Sequence, residues 1–576
     1  MIIGYVFTLV YVILFAGLIA SAILLRKSIA NKLSVDTSPT YAALVLLVIA
    51  FFIAFSLLHV SPVEQLYFDE NIYQGIALNI LHSGNALWCQ YGTALVASCP
   101  YSQIYHDPVE ISFYLAIAFA IFGTGIRTAY CMSLLVGAIS ILLVFLLGSS
   151  LSGRKTGLAS AIVFALIPEL FIWSRTQAVP DLIFMMFSIL AFYTYEIYRN
   201  NKSSMSLALF LFALGIAVYV RIEGILLIPI FIVLAAYETG AVHGIKKEFS
   251  KFFGKGSMRN LALVLLFVIL IMPEIYYIFY EGQSLDYGSG TICGVQTSTI
   301  FSISNFQCNI ITNTQFFLGA FNAIGYYPAY FSVLTTSIAI IGAAIMLFKG
   351  GKRGVSMPLL GLWILVFMIF YDTFYAGAVT YGVDVRFMLI TYPAISIFAG
   401  FGIASISSGI PSVLKIFRKR KSRGKREAVS SVIFAILIIA FAVFPFYNAL
   451  GMVTISPSNM PQESMPLSAT NFIYQNAAQV PSSCLVFSFT PDIWWEQNRN
   501  AAQIGWLNSD DSNFTNFESK FSCFVLDVGY WCTTPEYKGG LCQNDLKAYN
   551  TTVIATQSSP DFTDNYSLYY IDGYKG

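Results

Sequence analysis

Two adjacent carboxylates, Asp69 and Glu70, stand just beyond an apolar run, Tyr41 to Val60, that is long enough to cross a bilayer. Polar sequence follows them as far as His106-Asp107-Pro108. A carboxylate held at the lip of a membrane can act as a base toward a lipid-borne substrate. More charges collect at the ends of later apolar runs: Arg127, Arg175, Asp181, Arg221 with Glu223, Asp372, Asp384 and Arg386. A charge at a helix centre costs ~2.5–3.5 kcal/mol on insertion scales, and less at a helix end that reaches the interface. Taken singly, each charge is equally well explained as a snorkelling anchor or half of an ion pair. Taken together, arginines and carboxylates on one side of the membrane can line one polar cavity. Arginine forks suit phosphate. Carboxylates suit a hydroxyl-bearing acceptor.

The elements that must position these groups are membrane spans. Hydrophobic residues make up 57% of the 576 and charged residues 11%, where a soluble domain is nearer one quarter charged. The net charge of +2 excludes no partner. Twelve spans are expected, at 3–25, 41–60, 128–150, 156–173, 179–198, 204–219, 224–241, 260–280, 324–348, 357–375, 386–409 and 429–449. Most of the 32 Lys and Arg fall in alternate gaps, from Arg26-Lys27 through Arg154-Lys155 to the run Lys415 to Arg426. The positive-inside rule puts those gaps in the cytoplasm. The N-terminus, the first outer loop (61–127), the loop 281–323 and the tail then face outward. The apolar segment Ile111 to Phe122 would invert every later loop if it crossed, so it is expected to lie in the outer interface, a re-entrant segment being the alternative.

Cysteine usage agrees. Of nine cysteines, all but Cys131 fall in the outward segments, in even numbers, as disulfides in an oxidising compartment would require. Sequons at Asn513, Asn550 and Asn565 lie there too. The expected domains are a transmembrane catalytic body, 1–450, and an extracytoplasmic α/β domain, 451–576. In the latter, Ala469 to Gln475 reads as a helix. Ser483 to Phe489, Ser522 to Val528 and Tyr566 to Ile571 read as strands. No glycine-rich phosphate loop, no Cys-x-x-Cys and no zinc-spaced histidine cluster is present.

A phosphate-linked sugar on a membrane lipid meets both demands of the charged cavity. An acceptor hydroxyl would attack the anomeric carbon while a carboxylate takes its proton. The departing lipid phosphate would gain charge, which nearby arginine stabilises more in the transition state than in the ground state. The chain resembles the C-type (GT-C) glycosyltransferases, in the branch of the protein O-mannosyltransferases and the bacterial lipid A aminoarabinose transferase. The residues that carry the likeness begin with Phe68-Asp69-Glu70, His106-Asp107-Pro108-Val109-Glu110 and Phe122-Gly123-Thr124-Gly125-Ile126-Arg127. Leu151 to Gly157, Ala165 to Pro168, Arg221-Ile222-Glu223-Gly224 and Val385-Arg386-Phe387 follow. Trp494-Trp495 and Val525 to Tyr530 come last.

The resemblance implies a polytopic α-helical fold with a small outer α/β domain, and a polyprenyl-phosphate sugar donor. The acceptor would be a protein, lipid or glycan hydroxyl, and no nucleic acid is involved. It makes Asp69 the base or the main acidic group and Glu70 a holder of the acceptor. The charge cluster itself adds His106, Asp107, Arg127, Arg175, Arg221, Glu223 and Arg386 around the substrates, with Arg221 and Arg386 the first candidates for the lipid phosphate and Arg127 and Arg175 their close rivals. Two departures stand out. His106-Asp107-Pro108 replaces the branch's His or Lys followed by two prolines, and span 3–25 is extra. No cofactor is implied by the nearer branch. Related oligosaccharyltransferases hold a divalent metal on carboxylates, and Asp69 with Asp107 is the pair that would do so here. The competing reading is a transporter or flippase. Against it, the two halves show no repeated broken-helix pattern, and the polar residues crowd one end instead of the midplane.

Overall fold

The computed structural model describes residues 2–60, 68–89, 102–103, 109–175, 180–238, 257–284, 290–292, 295–297, 301–318, 332–348, 356–374, 377, 384–413, 423–453, 467–508, 521–533, 546–558 and 565–574. It is a helical bundle with a five-stranded sheet domain at its C-terminus. Seven described helices are long and apolar enough to cross a membrane, from Ile2–Leu24 to Glu427–Leu450. Shorter apolar helices include Glu110–Phe122, Ser204–Val220, Val333–Phe348 and Pro358–Thr373.

Local chemistry sets the helix boundaries. Pro39 and Pro168 each sit at a first helical position, where the missing N–H costs nothing, behind an extended Ser38 or Ile167. The expected span 156–173 is therefore not one rod. It breaks at Leu166-Ile167 into Arg154–Ala165 and Pro168–Trp173. Ser203 and Ser206 form a reciprocal capping box at the start of Ser204–Val220. Between helices, small residues allow close approach in an environment with no hydrophobic drive. Gly342 faces the Phe398 carbonyl so closely that a Cβ there would occupy the same space.

The two ends of helix Pro180–Asn201 differ in character. At its C-terminal end, Arg199 pairs with Glu196 (2.9 Å) and Glu238 (3.6 Å). Beside it, Tyr193 donates to Asp36, and Arg154 donates to the carbonyls of Val35 (3.1 Å) and Ser34 (3.0 Å). These residues flank the basic gaps. At the N-terminal end, Asp181 meets Arg221.

The C-terminal sheet has the order Asn500–Gln503, Cys484–Ser488, Cys523–Val528, Tyr566–Tyr574, Tyr549–Gln557. The first three strands are parallel and the remainder antiparallel. Leu485 pairs with Phe524 and with Asn500, and every residue of Cys484–Ser488 is buried, as a central strand covered on both faces should be. The three expected strands and the helix, observed as Leu467–Asn476, are present. Two further strands, Asn500–Gln503 and Tyr549–Gln557, are additional to the expectation. A disulfide joins Cys484 to Cys523 across neighbouring strands. Cys308 and Cys532 are also disulfide-bonded, and Cys131 is free.

Candidate active site

Asp69 and Glu70 lie in the first turn of helix Phe68–Ser83. A helix N-terminus favours negative side chains there. The Asp69 side chain lies outside the described residues, as do His106 and Asp107. Glu70 is 1% exposed, and Asn71, Tyr73 and Gln74 beside it are buried as well. This helix is enclosed on two sides. One neighbour is helix Glu110–Phe122. The other is the C-terminal domain: Asn71 Nδ2 donates to the Phe489 carbonyl at 3.0 Å, and Trp495 packs on Gly75, where a Cβ would lie 2.9 Å from the indole.

The arginines have four different fates. Arg127 is exposed, at the second position of helix Ile126–Ser152. Arg175 is half-buried. Its Nε donates to the Val60 carbonyl (3.2 Å), and its guanidinium lies 6.0 Å from the Tyr130 ring centre. Val60 ends the span that leads toward Asp69-Glu70. Among the described residues Arg175 has no carboxylate partner.

Arg221 is the opposite case. Its Nε and Nη2 grip both oxygens of Glu223 at 2.9 Å, and its Nη1 reaches Asp181 at 2.9 Å. Phe387 lies 5.2 Å from its guanidinium carbon and stacks on Tyr371 at 5.3 Å. Two carboxylates on one guanidinium leave the trio short of positive charge, so a phosphate arriving there must compete with both. The backbone of Arg386 lies in the 3-10 helix Asp384–Thr391, adjacent to Phe387, with its side chain outside the described residues. The structure thus gathers Asp181, Arg221, Glu223 and the Arg386 segment at one place. Helix Glu110–Phe122 touches both Ser204–Val220, which runs into Arg221, and the Asp69-Glu70 helix. Arg127 stands apart from that trio.

Several buried acids were not on the sequence's list of site residues. Glu169 is fully buried and accepts from Tyr392 and from Trp173 Nε1 (3.3 Å). Glu110 accepts from Tyr114 at 2.8 Å. Glu274 is 1% exposed inside the span beginning at Ser257. Asp372 accepts from Asn313 Nδ2 at 2.8 Å. That asparagine belongs to a face of helix Ile303–Phe317 on which Asn305, Asn309 and Asn313 all donate to backbone carbonyls at or just beyond the end of helix Ser356–Thr373. Glu169 and Glu274 carry a signal that Asp181 shares. Pro168-Glu169, Pro180-Asp181 and Pro273-Glu274 each place an acid directly after a proline in an apolar run.

In the C-terminal domain, Asp527 ends the Cys523–Val528 strand and is 2% exposed. Its Oδ2 accepts from Ser488 Oγ (2.7 Å) and Trp494 Nε1 (2.9 Å). Burial pushes its carboxyl up to about 6, against the pull of those two donors. Glu496 is pushed up to about 7 by burial, opposed by hydrogen bonds from Tyr474 (2.8 Å) and the Ile126 backbone N–H. Glu496 therefore caps helix Ile126–Ser152 from the other domain, meeting one of its orphan N–H groups.

The architecture is that of a multi-pass membrane protein whose C-terminal domain covers the helix turn bearing the buried Glu70. Residues 106–277 match the family of dolichyl-phosphate-mannose-protein mannosyltransferases. The fold is similar to that of ArnT from Cupriavidus metallidurans bound to undecaprenyl phosphate, with a TM-score of 0.55 at 12% identity over 93% of this chain and 98% of that one. It is also similar to AglB, the oligosaccharyltransferase of Archaeoglobus fulgidus, in complex with an inhibitory peptide and a dolichol-phosphate. There the TM-score is 0.51 at 14% identity, over 92% of this chain and 74% of that one. No curated protein matches this sequence. The chain thus shares its fold with ArnT and AglB, and its residues 106–277 carry the mannosyltransferase family's sequence signature. Among the described residues no group of three or more His, Cys, Asp or Glu is placed to hold a metal. Asp69 and Asp107, the pair that would hold one, have side chains outside that set.

Proposed function

We propose that the chain transfers a sugar from a polyprenyl-phosphate-linked donor to an acceptor hydroxyl at the outer membrane face. The observation that carries this reading is the seating of Arg175 on the Val60 carbonyl. It sets an arginine with no carboxylate partner among the described residues at the end of the span that leads into Asp69-Glu70. A cation for the phosphate and an acid for the acceptor then share one end of one connection. The ArnT and AglB structures, which hold polyprenyl or dolichol phosphates, support a donor of that class.

In the reaction, the acceptor oxygen bonds to the anomeric carbon as the bond from that carbon to the phosphate oxygen breaks. Asp69 takes the acceptor's proton, and the lipid leaves as a phosphate monoester. Arg175 stabilises the charge gained by that phosphate. Glu70 orients the acceptor. Arg221, fixed by Asp181 and Glu223, holds the wall formed with Phe387 and Tyr371. The test is purified protein in liposomes with a series of polyprenyl-phosphate sugars. Release of polyprenyl phosphate without any gradient supports the reading. Movement of the lipid-linked sugar across the bilayer without its consumption overturns it and favours a flippase.

A further inference from the structure

The Cys484–Ser488 strand has parallel neighbours on both sides. The chain runs from it to Asn500–Gln503 on one side, then crosses to Cys523–Val528 on the other. The loops after Ser488 and after Val528 therefore diverge. In open α/β sheets, ligands bind outside the carboxyl ends of the strands at such a switch point. A cavity of about 10 Å³ lies there, lined by Ser488, Phe489, Thr490, Asp527, Gly529 and Tyr530, with helix Leu467–Asn476 along one wall. That volume admits one oxygen-sized group.

The cavity wall carries an unmet demand. Asp527 Oδ2 is fully engaged, but Oδ1 is buried and has no hydrogen-bond partner among the described residues. It points toward Gly529, where a Cβ would lie 3.1 Å from it. A buried carboxylate oxygen without a donor is costly, and a carboxylate can only accept. The missing partner is therefore a donor. The hydroxyls of Ser488 and Thr490, 3.2 Å apart, offer both donor and acceptor beside it. Aromatic residues Phe489 and Tyr530 complete the lining.

We propose that this cavity is a subsite for one hydroxyl group of a saccharide acceptor. The proposal rests on the transferase reading above and names its acceptor class. A carboxylate flanked by hydroxyl and aromatic side chains matches the alternating hydroxyls and C–H faces of a sugar. The location fits as well, because the Phe489 carbonyl takes the hydrogen bond from Asn71. A saccharide anchored here is held against the helix that carries Asp69-Glu70.

The test uses the full-length protein in nanodiscs, with methyl glycosides of hexoses and pentoses as probes and a Ser/Thr-containing peptide as the comparison. Binding is read by ligand-observed NMR. Glycosides should bind the wild type, and Asp527→Asn should weaken them ~10- to 100-fold, the range for a hydrogen bond to a charged group. Gly529→Ala is the second variant. Its backbone does not use the left-handed region, so the alanine backbone is unstrained, and the new methyl, 3.1 Å from Oδ1, fills the cavity and makes that carboxylate give by a few tenths of an ångström. It should abolish glycoside binding in protein that still melts cooperatively. Wild-type protein that ignores glycosides, or takes the peptide instead, overturns the proposal. So does Gly529→Ala that binds glycosides normally, which would leave the cavity as a seat for water. Asp69→Asn should still bind the glycosides. Polyprenyl phosphate release without glycoside binding sinks this subsite alone, whereas glycoside binding without release sinks the transferase reading.

Discussion

Arg221→Lys separates a structural arginine from a phosphate-binding one. The native guanidinium makes three charge-assisted hydrogen bonds at 2.9 Å, two to Glu223 and one to Asp181. A lysine ammonium is a point charge on a flexible stem and cannot reproduce that fork. It can satisfy one carboxylate from the same place and leaves the other short of its donor. At ~1.5–3 kcal/mol for each charge-assisted bond, losing one or two of the three costs on the order of 2–5 kcal/mol, close to the ~3–5 kcal/mol for breaking a buried pair. The apparent melting temperature in detergent should fall by several degrees, with donor KM almost unmoved in the protein that stays folded. Arg175→Lys should do the reverse. Among the described residues its hydrogen bond goes to a backbone carbonyl, so stability should hold while donor KM rises ~10-fold, a loss of ~1.4 kcal/mol. The assay is initial rate against lipid-linked donor concentration, with melting temperature measured on the same preparations. An Arg221→Lys protein of native stability with a tenfold higher donor KM would refute the ion-pair reasoning and return Arg221 to the phosphate.

Asp69→Asn should keep folding and donor binding but lower turnover ~10²–10⁴-fold, the scale of acid–base catalysis; native turnover would remove Asp69 from the role of base. Chelation with EDTA should leave turnover unchanged, and a loss restored by one divalent ion would favour a metal on Asp69 and Asp107. Cysteines placed at 460 and 550 should react with an impermeant reagent from outside, and one placed at 420 should not; outside labelling at 420 would invert the topology. Glu496 has a folded-state value near 7 against an ordinary 4.5, so between those values the folded protein holds the proton that the unfolded chain has lost. Its contribution to stability therefore declines as pH rises from about 4.5 to about 7. Glu496→Gln should flatten the wild-type fall in melting temperature over that window, and an unchanged slope would show that Glu496 is not its source.

The bundle was legible because insertion into a bilayer is a composition rule. Runs such as Tyr41 to Val60 and Leu261 to Met272 have one solution there, the helix. The C-terminal sheet was only half legible. Cys484 to Ser488 is a buried apolar strand and Cys523 to Val528 a half-buried one, and both announce themselves. Asn500–Gln503 is short and polar, and Tyr549–Gln557 alternates weakly with Asn550, Thr551 and Thr552 at its start. Both exist because neighbouring strands supply ladder partners, which no local signal encodes. The site divides in the same way. Charges at span ends could be named from the chain, but not who pairs with whom. Arg175 and Arg221 look alike in sequence, each two residues after an aromatic, Trp173 or Tyr219, at the end of an apolar run. Only the fold shows that Asp181, forty residues upstream of Arg221, occupies one of them.

The placement of the C-terminal domain follows from three contacts that each satisfy a need created by the membrane body. Helix Ile126–Ser152 begins after two glycines, Gly123 and Gly125, both with positive φ, so no side chain of its own N-cap covers its first N–H groups. Glu496 supplies that cap from the other domain. Helix Phe68–Ser83 has an asparagine, Asn71, buried at its start, and the Phe489 carbonyl receives it. Gly75 on the same helix leaves a hollow that Trp495 fills. All three partners come from the stretch 489–496, which leaves the carboxyl end of the Cys484–Ser488 strand. The same stretch supplies Trp494 to Asp527 and helps line the switch-point cavity. One short connection thus fixes the acidic turn from above and shapes the proposed acceptor subsite beside it. Phe489, which receives Asn71 and lines the cavity, is the wall that the two share.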